Sequence, residues 1–321
     1  MLSSETARSE GAKMRFSQAL EGYWLERKRD FSASTVRDYS LHFRRFVEFV
    51  GDGELASIDA DDVRGFLNYL AEDLELSRKT CANGWMALSS FWTWAAKALG
   101  IPHVIRDQVQ RPRYERPQIV PYRKEEVVKI LSVVDFAAGW DTRNGKRTKN
   151  ARPSKLRDRA MILMLLDTGL RASELIGLRM RDYDRSTGQV IVREGKGGKD
   201  RVVFAAQGAK AAMWRYLVER GEAGPDDLVF VTRNGTALER NSFRHLVQRL
   251  GERSGVQGIT LHRFRHTFAV EFLRNGGNVL ELQRLLGHAK METLTVYVKL
   301  AEADLERAQR AASPADRWGL R

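Results

Sequence analysis

Apolar residues recur at helical spacing through most of the first hundred positions. The clearest run lies between Ser34, a candidate N-cap, and Gly51, which would end a helix. Its apolar members are Val36, Tyr39, Phe43, Phe46, Val47 and Val50. Similar runs begin near Asp59 and after Ser77, and another precedes them all. Because each run has one apolar face, the pattern predicts four helices packed into a domain over residues 14–104.

The later part of the chain has longer and more varied patterns. Helical spacing is found at 124–134, 156–166, 208–220, 241–254, 261–274, 279–286, 292–300 and 301–312. Two β-rich runs, 189–193 and 201–204, flank a glycine-rich stretch and predict a hairpin. The predicted fold class is therefore mainly α with a small β-hairpin (α+β), and residues 122–321 form a second domain.

Three stretches have no apolar period. Residues 1–13 are polar, which predicts a disordered start. Residues 105–121 read as a basic linker, either simply solvated or able to follow a phosphate backbone. Pro112, Pro117 and Pro121 would break a helix there, and Arg111, Arg113 and Arg116 lie among them. Residues 141–155 are basic and contain glycine, which predicts a mobile loop.

Three tryptophans of the first domain allow two interpretations. The indole rings of Trp85, Trp92 and Trp94 could stack on nucleic-acid bases. Their apolar helical spacing instead favours packing in the core, and we expect the core.

The charge of the chain is large and unevenly placed. The 321 residues carry a formal net charge of +13, with a sequence pI of about 10.0. Residues 1–110 contain 14 Lys and Arg against 16 Asp and Glu, so the positive excess lies in residues 111–321. Such a balance favours a polyanionic partner, either nucleic acid or an acidic membrane surface.

Other features argue against a membrane or secreted protein. The apolar run 160–166 is too short to span a bilayer, and the first residues lack the apolar core of a signal peptide. Cys81 is the only cysteine, so an internal disulfide and a zinc site built on cysteine clusters are excluded. We expect a cytoplasmic protein.

Two short segments combine glycine with basic residues. In Thr-Gly-Leu-Arg-Ala-Ser-Glu-Leu, from 168 to 175, Arg171 opens a helix and Glu174 lies close enough to hold its guanidinium. Alone, this pair could be an ordinary surface ion pair. In Gly-Lys-Gly-Gly-Lys-Asp-Arg, from 195 to 201, the Walker spacing is missing, so nucleotide hydrolysis is not expected. Lys196 could reach a phosphate from the tip of a hairpin, or belong to an ordinary charged turn.

A third segment, Leu-His-Arg-Phe-Arg-His-Thr from 261 to 267, places His262, Arg265 and His266 on one face of a helix. The apolar residues Leu261, Phe264, Phe268 and Phe272 take the other face, which should be buried. The next helix ends at Gly287-His288, and Tyr297 follows nine residues later.

Together these residues suit phosphoryl transfer. Two arginines can hold the non-bridging oxygens of a phosphate and supply the stabilisation that a metal would otherwise give. A tyrosine hydroxyl can attack phosphorus, and a lysine or histidine can protonate the leaving hydroxyl. The bond energy is kept in the phosphotyrosine, so we expect no cofactor and no metal.

The motifs resemble those of the tyrosine recombinases, the phage integrase family. The likeness covers residues 14 to the end and rests on four motifs in the family's order. They are the T-G-L-R-x-x-E-L segment, the hairpin lysine, the H-x-x-R-H segment and the L-G-H segment followed by a tyrosine. The resemblance implies a core-binding domain followed by a catalytic domain. It assigns catalytic positions to Arg171, Lys196, His262, Arg265, His288 and Tyr297, with Glu174 and His266 in support.

The resemblance implies a reaction as well as a fold. Tyr297 would attack double-stranded DNA at a recombination site, giving a 3′-phosphotyrosine and a 5′-hydroxyl. Arg171 and Arg265 would hold the phosphate, Lys196 would protonate the leaving hydroxyl, and His262 would assist proton transfer. Four protomers, all of this chain or shared with a paralogous recombinase, would exchange strands through a Holliday junction. Helix 301–312 would dock on a neighbouring protomer, serving integration and excision or dimer resolution.

Some features leave other interpretations open. The first domain is not basic overall, so its DNA contacts must come from a local face. The predicted DNA-binding residues there and in the hairpin are Arg37, Arg44, Arg45, Arg78, Lys79, Lys199 and Arg201. A type IB topoisomerase-like enzyme would share the chemistry, and a non-catalytic DNA-binding regulator would share the fold. Clustered carboxylates for a metal-dependent nuclease are not evident in the sequence.

Overall fold

The boundary between the two folding units of the chain falls after Pro117. Their ranges are Met1–Pro117 and Gln118–Arg321. The computed structural model describes residues 14–115, 118–136, 151–193, 200–287, 291–301, 309 and 313–320. The predicted disordered start, 1–13, lies outside these ranges, as do most of the loop 141–155 and of the helix 301–312.

The described part of the first unit is helical. Its helices are α1 (Phe16–Arg27), α2 (Ala33–Val50), α3 (Ala60–Glu72) and α4 (Arg78–Ala98), with short 3₁₀ turns at Lys28–Asp30 and Leu55–Ser57. The N-cap predicted at Ser34 is wrong. Ser32 caps α2 instead, because its hydroxyl oxygen accepts a hydrogen bond from Thr35 N at 3.2 Å. Helices predicted to begin near Asp59 and after Ser77 are observed, and these two residues cap α3 and α4.

Aromatic side chains form the core of the first unit. Trp92 is fully buried and packs against Phe16 and Phe46 with ring-centroid distances of 5.7 and 5.8 Å. The indole N–H groups of Trp85 and Trp94 bond within the same unit, so all three tryptophans of α4 contribute to its packing. Cys81 lies in this core, where burial raises the pKa of its thiol.

The first part of the predicted linker packs onto the first unit. Ile105 and Val109 are buried in its core, and the Val109 carbonyl accepts the Trp85 indole N–H at 3.0 Å. Apolar side chains within a proline- and arginine-rich stretch explain this difference from the prediction, because burying them stabilises the segment.

In the second unit, the described elements are helices and one two-stranded antiparallel sheet. The helices are α5 (Lys124–Val134), α6 (Lys155–Thr168), α7 (Ala172–Ile176), α8 (Gln207–Arg220), α9 (Arg240–Ser254), α10 (Leu261–Arg274), α11 (Val279–Leu286), α12 (Met291–Ala301) and α13 (Pro314–Arg317), with a 3₁₀ turn at Met180–Asp182. The strands are β1 (Gln189–Val192) and β2 (Arg201–Phe204), and Val192 pairs with Arg201. The fold class, mainly helical with a small hairpin, is confirmed.

The end of the predicted mobile loop 141–155 is anchored. Asp158, fully buried in α6, accepts hydrogen bonds from Arg152 Nη2 at 2.6 Å and from Arg157 Nη2 at 2.8 Å. The backbone N–H of Arg152 also bonds to the Asp135 carbonyl. A buried carboxylate needs such partners, so Arg152 is a structural residue and not part of a mobile basic surface.

Helix α10 is held in place by contacts with residues 120–126, near the start of the second unit. The backbone N–H of Tyr122 donates to Thr267 Oγ1 at 2.7 Å, and Arg263 lies over the Tyr122 ring, 4.1 Å from its centroid. Arg263 also holds both oxygens of Glu126 at 2.9–3.0 Å. These contacts fix the helix that carries His262, Arg265 and His266.

Candidate active site

Among the described residues, the predicted catalytic and supporting side chains lie on three helices of the second unit. Arg171 and Glu174 stand at the start of α7, His262, Arg265 and His266 lie on α10, and Tyr297 lies on α12. Lys196, Lys199 and His288 lie outside the described residues.

Gly169 creates the sharp turn that places Arg171. It ends α6 in the left-handed conformation, with φ of 63°. Arg171 then becomes the N-cap residue of α7, and its backbone N–H donates to Glu174 Oε2 at 2.7 Å. Arg171 Nη1 donates to Glu174 Oε1 at 2.6 Å. The predicted pairing of Arg171 with Glu174 is therefore seen.

Glu174 also binds Arg201, which the sequence assigned to DNA. Nη1 and Nη2 of Arg201 donate to the two Glu174 oxygens at 3.0 and 2.7 Å, and the Arg201 side chain is only 8% exposed. Burial would raise the pKa of Glu174, but the bonds from Arg201 and Arg171 outweigh it and lower that pKa to about 2. Arg201 does not fit a DNA-contacting role, because its guanidinium is buried against Glu174.

Three arginines donate hydrogen bonds to backbone carbonyl oxygens at the C-terminal end of α11. Arg201 Nε donates to Leu285 O at 2.7 Å, Arg265 Nη2 to Leu286 O at 2.6 Å, and Arg171 Nη2 to Gly287 O at 3.3 Å. A helix C-terminus presents unpaired carbonyls and a partial negative charge, which favours arginine there. This helix end therefore draws Arg171 and Arg265 together, although they are 94 residues apart in sequence. The sequence patterns did not indicate this arrangement.

Arg265 is the more deeply buried of the two arginines. It is 5% exposed, and Nη1 donates to the Gly169 carbonyl at 2.6 Å. Burial, followed by the positive charge of Arg171, lowers the pKa of Arg265 to about 10, so it remains charged at neutral pH. A guanidinium has five N–H donors, so these bonds leave donors for a further anion.

The Tyr297 side chain lies inside a small apolar cluster and contacts His266. It is 2% exposed and packs with Ala269, Val270 and Leu286. Its hydroxyl lies 2.7 Å from His266 Nδ1. Burial raises the pKa of Tyr297, and the charge of Arg265 opposes this rise only in part. The hydroxyl is therefore protonated at neutral pH.

His262 and His266 stack one turn apart on α10. Their ring centroids are 4.3 Å apart in an edge-to-face arrangement. Burial, then the charges of His262 and Arg265, lowers the pKa of His266 to about 4. Partial burial, then Arg265, Arg171 and Arg240, lowers the pKa of His262. Both rings are therefore neutral at neutral pH in this chain.

The buried side of α10 differs from the prediction. Phe264 is fully buried, as expected, whereas Phe268 and Phe272 are only half-buried. On another side of the helix, Val270 is fully buried in the cluster around Tyr297. The helix therefore packs on two sides, which the single-face pattern did not indicate.

Basic side chains other than Arg171, Arg201 and Arg265 differ in their exposure to solvent. Arg37, Arg44, Arg78 and Lys79 of the first unit are exposed, and Arg45 is half-buried. In the second unit, α9 exposes Arg240, Arg244 and Arg249 opposite the buried Phe243 and Leu250. Sequence reasoning missed this basic face, although the spacing of the three arginines could have revealed it.

In the part of the chain that the structure describes, no helix has both the length and the apolar character needed to cross a membrane. Nor do the described residues contain a group of three or more His, Cys, Asp or Glu side chains that could hold a metal ion. What the structure brings together is two arginines, two neutral histidines and a buried tyrosine, which can bind an anionic phosphate and offer it a nucleophile.

Sequence comparison matches both parts of the chain to known domains. The Phage integrase family matches residues 142–304, and the N-terminal SAM-like domain of phage integrases matches residues 18–99. The former match covers about half of the chain.

Individual relatives align over nearly the whole length. Tyrosine recombinase XerA of Thermococcus onnurineus is 33% identical over 292 residues, or 88% of this chain and 90% of the relative. Tyrosine recombinase XerC of Leptospira interrogans is 26% identical over 295 residues, or 91% of each chain. The solved Tn1549 transposon integrase has a TM-score of 0.72 at 20% identity, covering 92% of this chain and 99% of that one, and so shares its fold.

Proposed function

Because this chain belongs to the phage integrase family and is a tyrosine recombinase, an enzyme of site-specific DNA recombination, we propose that Tyr297 is its nucleophile. The carrying observation is the convergence of Arg171 and Arg265 on the end of α11, with Arg265 close enough to influence the pKa of Tyr297. Two fixed guanidiniums form a site for one phosphodiester beside a tyrosine hydroxyl.

In the proposed reaction, the hydroxyl oxygen of Tyr297 bonds to phosphorus as the bond from phosphorus to the 5′-oxygen breaks. Arg171 and Arg265 stabilise the charge on the non-bridging oxygens. Lys196 protonates the leaving 5′-oxygen, and His288 supports the phosphate, as the family resemblance implies. The 3′-phosphotyrosine keeps the bond energy, so a 5′-hydroxyl can reverse the step and reseal the strand.

The proposed partner is duplex DNA in the cytoplasm. The Tn1549 integrase was solved with circular-intermediate DNA, and the XerH recombinase with its palindromic difH substrate. The positive excess in residues 111–321 and the exposed arginines of α9 support a phosphate-rich partner for this chain. We propose four protomers on paired sites, all of this chain or shared with a paralogue, acting in integration and excision or dimer resolution.

Covalent capture tests the nucleophile. Wild type, Tyr297→Phe and the control Tyr183→Phe, another buried tyrosine of the second unit, are expressed and lysed in detergent, and DNA ends attached to protein are sequenced. Wild type and control should give adducts at a few repeated sites. Tyr297→Phe should give none while its DNA binding stays within about twofold, because one hydroxyl is lost from a phosphate-dominated interface. Adducts formed by Tyr297→Phe would refute the assignment, and scattered wild-type adducts would favour topoisomerase-like relaxation.

A further inference from the structure

The proton of the Tyr297 hydroxyl must leave when that oxygen bonds to phosphorus. Among the described residues, the hydrogen-bond partner of this hydroxyl is His266 Nδ1, at 2.7 Å. His262, which the family resemblance links to proton transfer, instead packs edge-to-face against the His266 ring. The structure thus brings the second histidine of the H-x-x-R-H segment, rather than the first, to the reacting oxygen.

The surroundings of His266 favour its neutral form. Burial is the main cause that holds the pKa of His266 well below its usual range, and His262 and Arg265 on the same helix add to it. Tyr297, from α12, holds its proton because burial raises its pKa. Between a protonated hydroxyl and a neutral imidazole, the hydroxyl can donate and Nδ1 can accept if the ring proton is on Nε2.

Binding of a phosphodiester would change this balance. Its negative charge beside Arg265 would offset the positive charge that opposes an imidazolium at position 266. His266 would therefore become a stronger base only when the substrate is in place. Without DNA, the pair stays as hydroxyl and neutral imidazole inside the apolar cluster.

We propose that His266 is the general base of strand cleavage. As Tyr297 Oη bonds to phosphorus, its proton passes to His266 Nδ1, and the departing 5′-oxygen takes a proton from a separate acid. In resealing, the 5′-hydroxyl attacks phosphorus and gives its proton to the conjugate base of that acid. The bond to Tyr297 breaks, and the His266 imidazolium returns its proton to the tyrosine oxygen. This inference rests on the proposed function of Tyr297 and assigns His266 a catalytic role.

Single-turnover cleavage on the DNA site recovered by covalent capture tests the proposal. Two nicked duplexes are compared, one with the ordinary 5′-oxygen and one with a bridging 5′-sulfur, which leaves without an acid. Loss of a general base should slow His266→Ala and His266→Gln roughly 10²–10⁴-fold on both duplexes. Lys196→Ala should slow cleavage only of the duplex with the ordinary 5′-oxygen, because the sulfur leaving group needs no acid. The control Asp226→Asn, which removes an exposed ion pair with Arg181, should match wild type.

A more acidic nucleophile provides a second readout. With 3,5-difluorotyrosine at position 297, the oxygen ionises without a base, so the His266→Gln enzyme should recover at least about tenfold in rate. Recovery would show that the variant is folded and lacks only the base. Cleavage by His266→Gln at or above the wild-type rate, or no recovery with difluorotyrosine, would overturn the proposal. If wild type forms no adduct through Tyr297, the proposed function fails first, and the two failures are therefore distinct.

Discussion

At the scale of single residues, Glu174 is the side chain on which the arginine arrangement depends. Its two oxygens receive bonds from Arg171 and Arg201, and its pKa is held at about 2. It lies 12% exposed, so the charges it neutralises have limited access to water. We therefore propose that Glu174 is a positioning residue that orients Arg171.

We expect Glu174→Gln to destabilise the second unit by about 3–5 kcal/mol, because removing one member of a buried ion pair leaves the other charge uncompensated. DNA cleavage should fall as well, since Arg171 loses its support. Urea unfolding and single-turnover cleavage measure the two effects. The control is Asp226→Asn, which breaks an exposed pair with Arg181 and should change stability by at most about 1 kcal/mol. Equal losses in both variants would contradict the assignment.

His266 should make stability depend on pH between 6.5 and about 4. Its pKa in the folded chain is lowered to about 4, whereas the unfolded chain binds this proton near pH 6.5. Its contribution is therefore complete above pH 6.5 and is lost as the pH falls, with a limiting slope of about 1.4 kcal/mol per pH unit. Unfolding free energies of wild type and His266→Gln, measured from pH 7 to pH 4, should differ in slope over this window. Parallel curves would rule out this contribution of His266.

At the scale of elements, the turn from α6 to α7 joins two requirements. Gly169 must adopt positive φ, and its carbonyl must accept Arg265 Nη1. A Cβ there would lie 2.3 Å from Cδ1 of Phe268. The backbone, the packing of α10 and the position of one arginine therefore depend on the same residue.

Gly169→Ala should cost more than left-handed backbone strain alone. The matched control is Gly255→Ala at the end of α9, where φ is 69° and a Cβ would have no neighbour within 4 Å. The control should lose about 1–2 kcal/mol. Gly169→Ala should lose a further 1–3 kcal/mol or so, because Phe268 must move. Thermal and urea unfolding compare the two, and equal losses would contradict the steric argument.

Local patterns predicted the elements better than their connections. Apolar spacing predicted β2 and the helices α10 and α11 with their observed bounds, because those signals lie within about a dozen residues. The bond from Arg201 to Glu174 spans 27 residues and that from Tyr122 to Thr267 spans 145. Periodicity carries no information about such pairs. Arg201 was therefore assigned to DNA from its charge, although folding buries it.

At the scale of the whole molecule, charge is segregated between the units. Residues 1–110 have slightly more acidic than basic residues, and the positive excess lies beyond them. Phosphate contacts release counterions from DNA, so affinity should fall with salt in proportion to their number. The exposed arginines of α9 form a candidate phosphate-contacting surface on the second unit.

Arg244→Ala should reduce the slope of log affinity against log salt by about 0.9 for one lost phosphate contact. The control Arg181→Ala, whose guanidinium already pairs with Asp226, should leave the slope unchanged. Fluorescence anisotropy with a labelled duplex between 50 and 200 mM salt, roughly the range over which such interfaces weaken most visibly, gives both slopes. An unchanged slope for Arg244→Ala would remove α9 from the interface.

The buried thiol of Cys81 allows opening of the first unit to be measured by the rate of thiol labelling. Cys81 is the only sulfhydryl in the chain and lies inside the aromatic core, so reagents can reach it only when that core opens. Its labelling rate therefore reports opening of the first unit and does not report unfolding of the second unit. DNA that binds the first unit should slow the labelling of Cys81 even in a variant that cannot cleave DNA. The labelling rate therefore measures DNA binding separately from DNA cleavage.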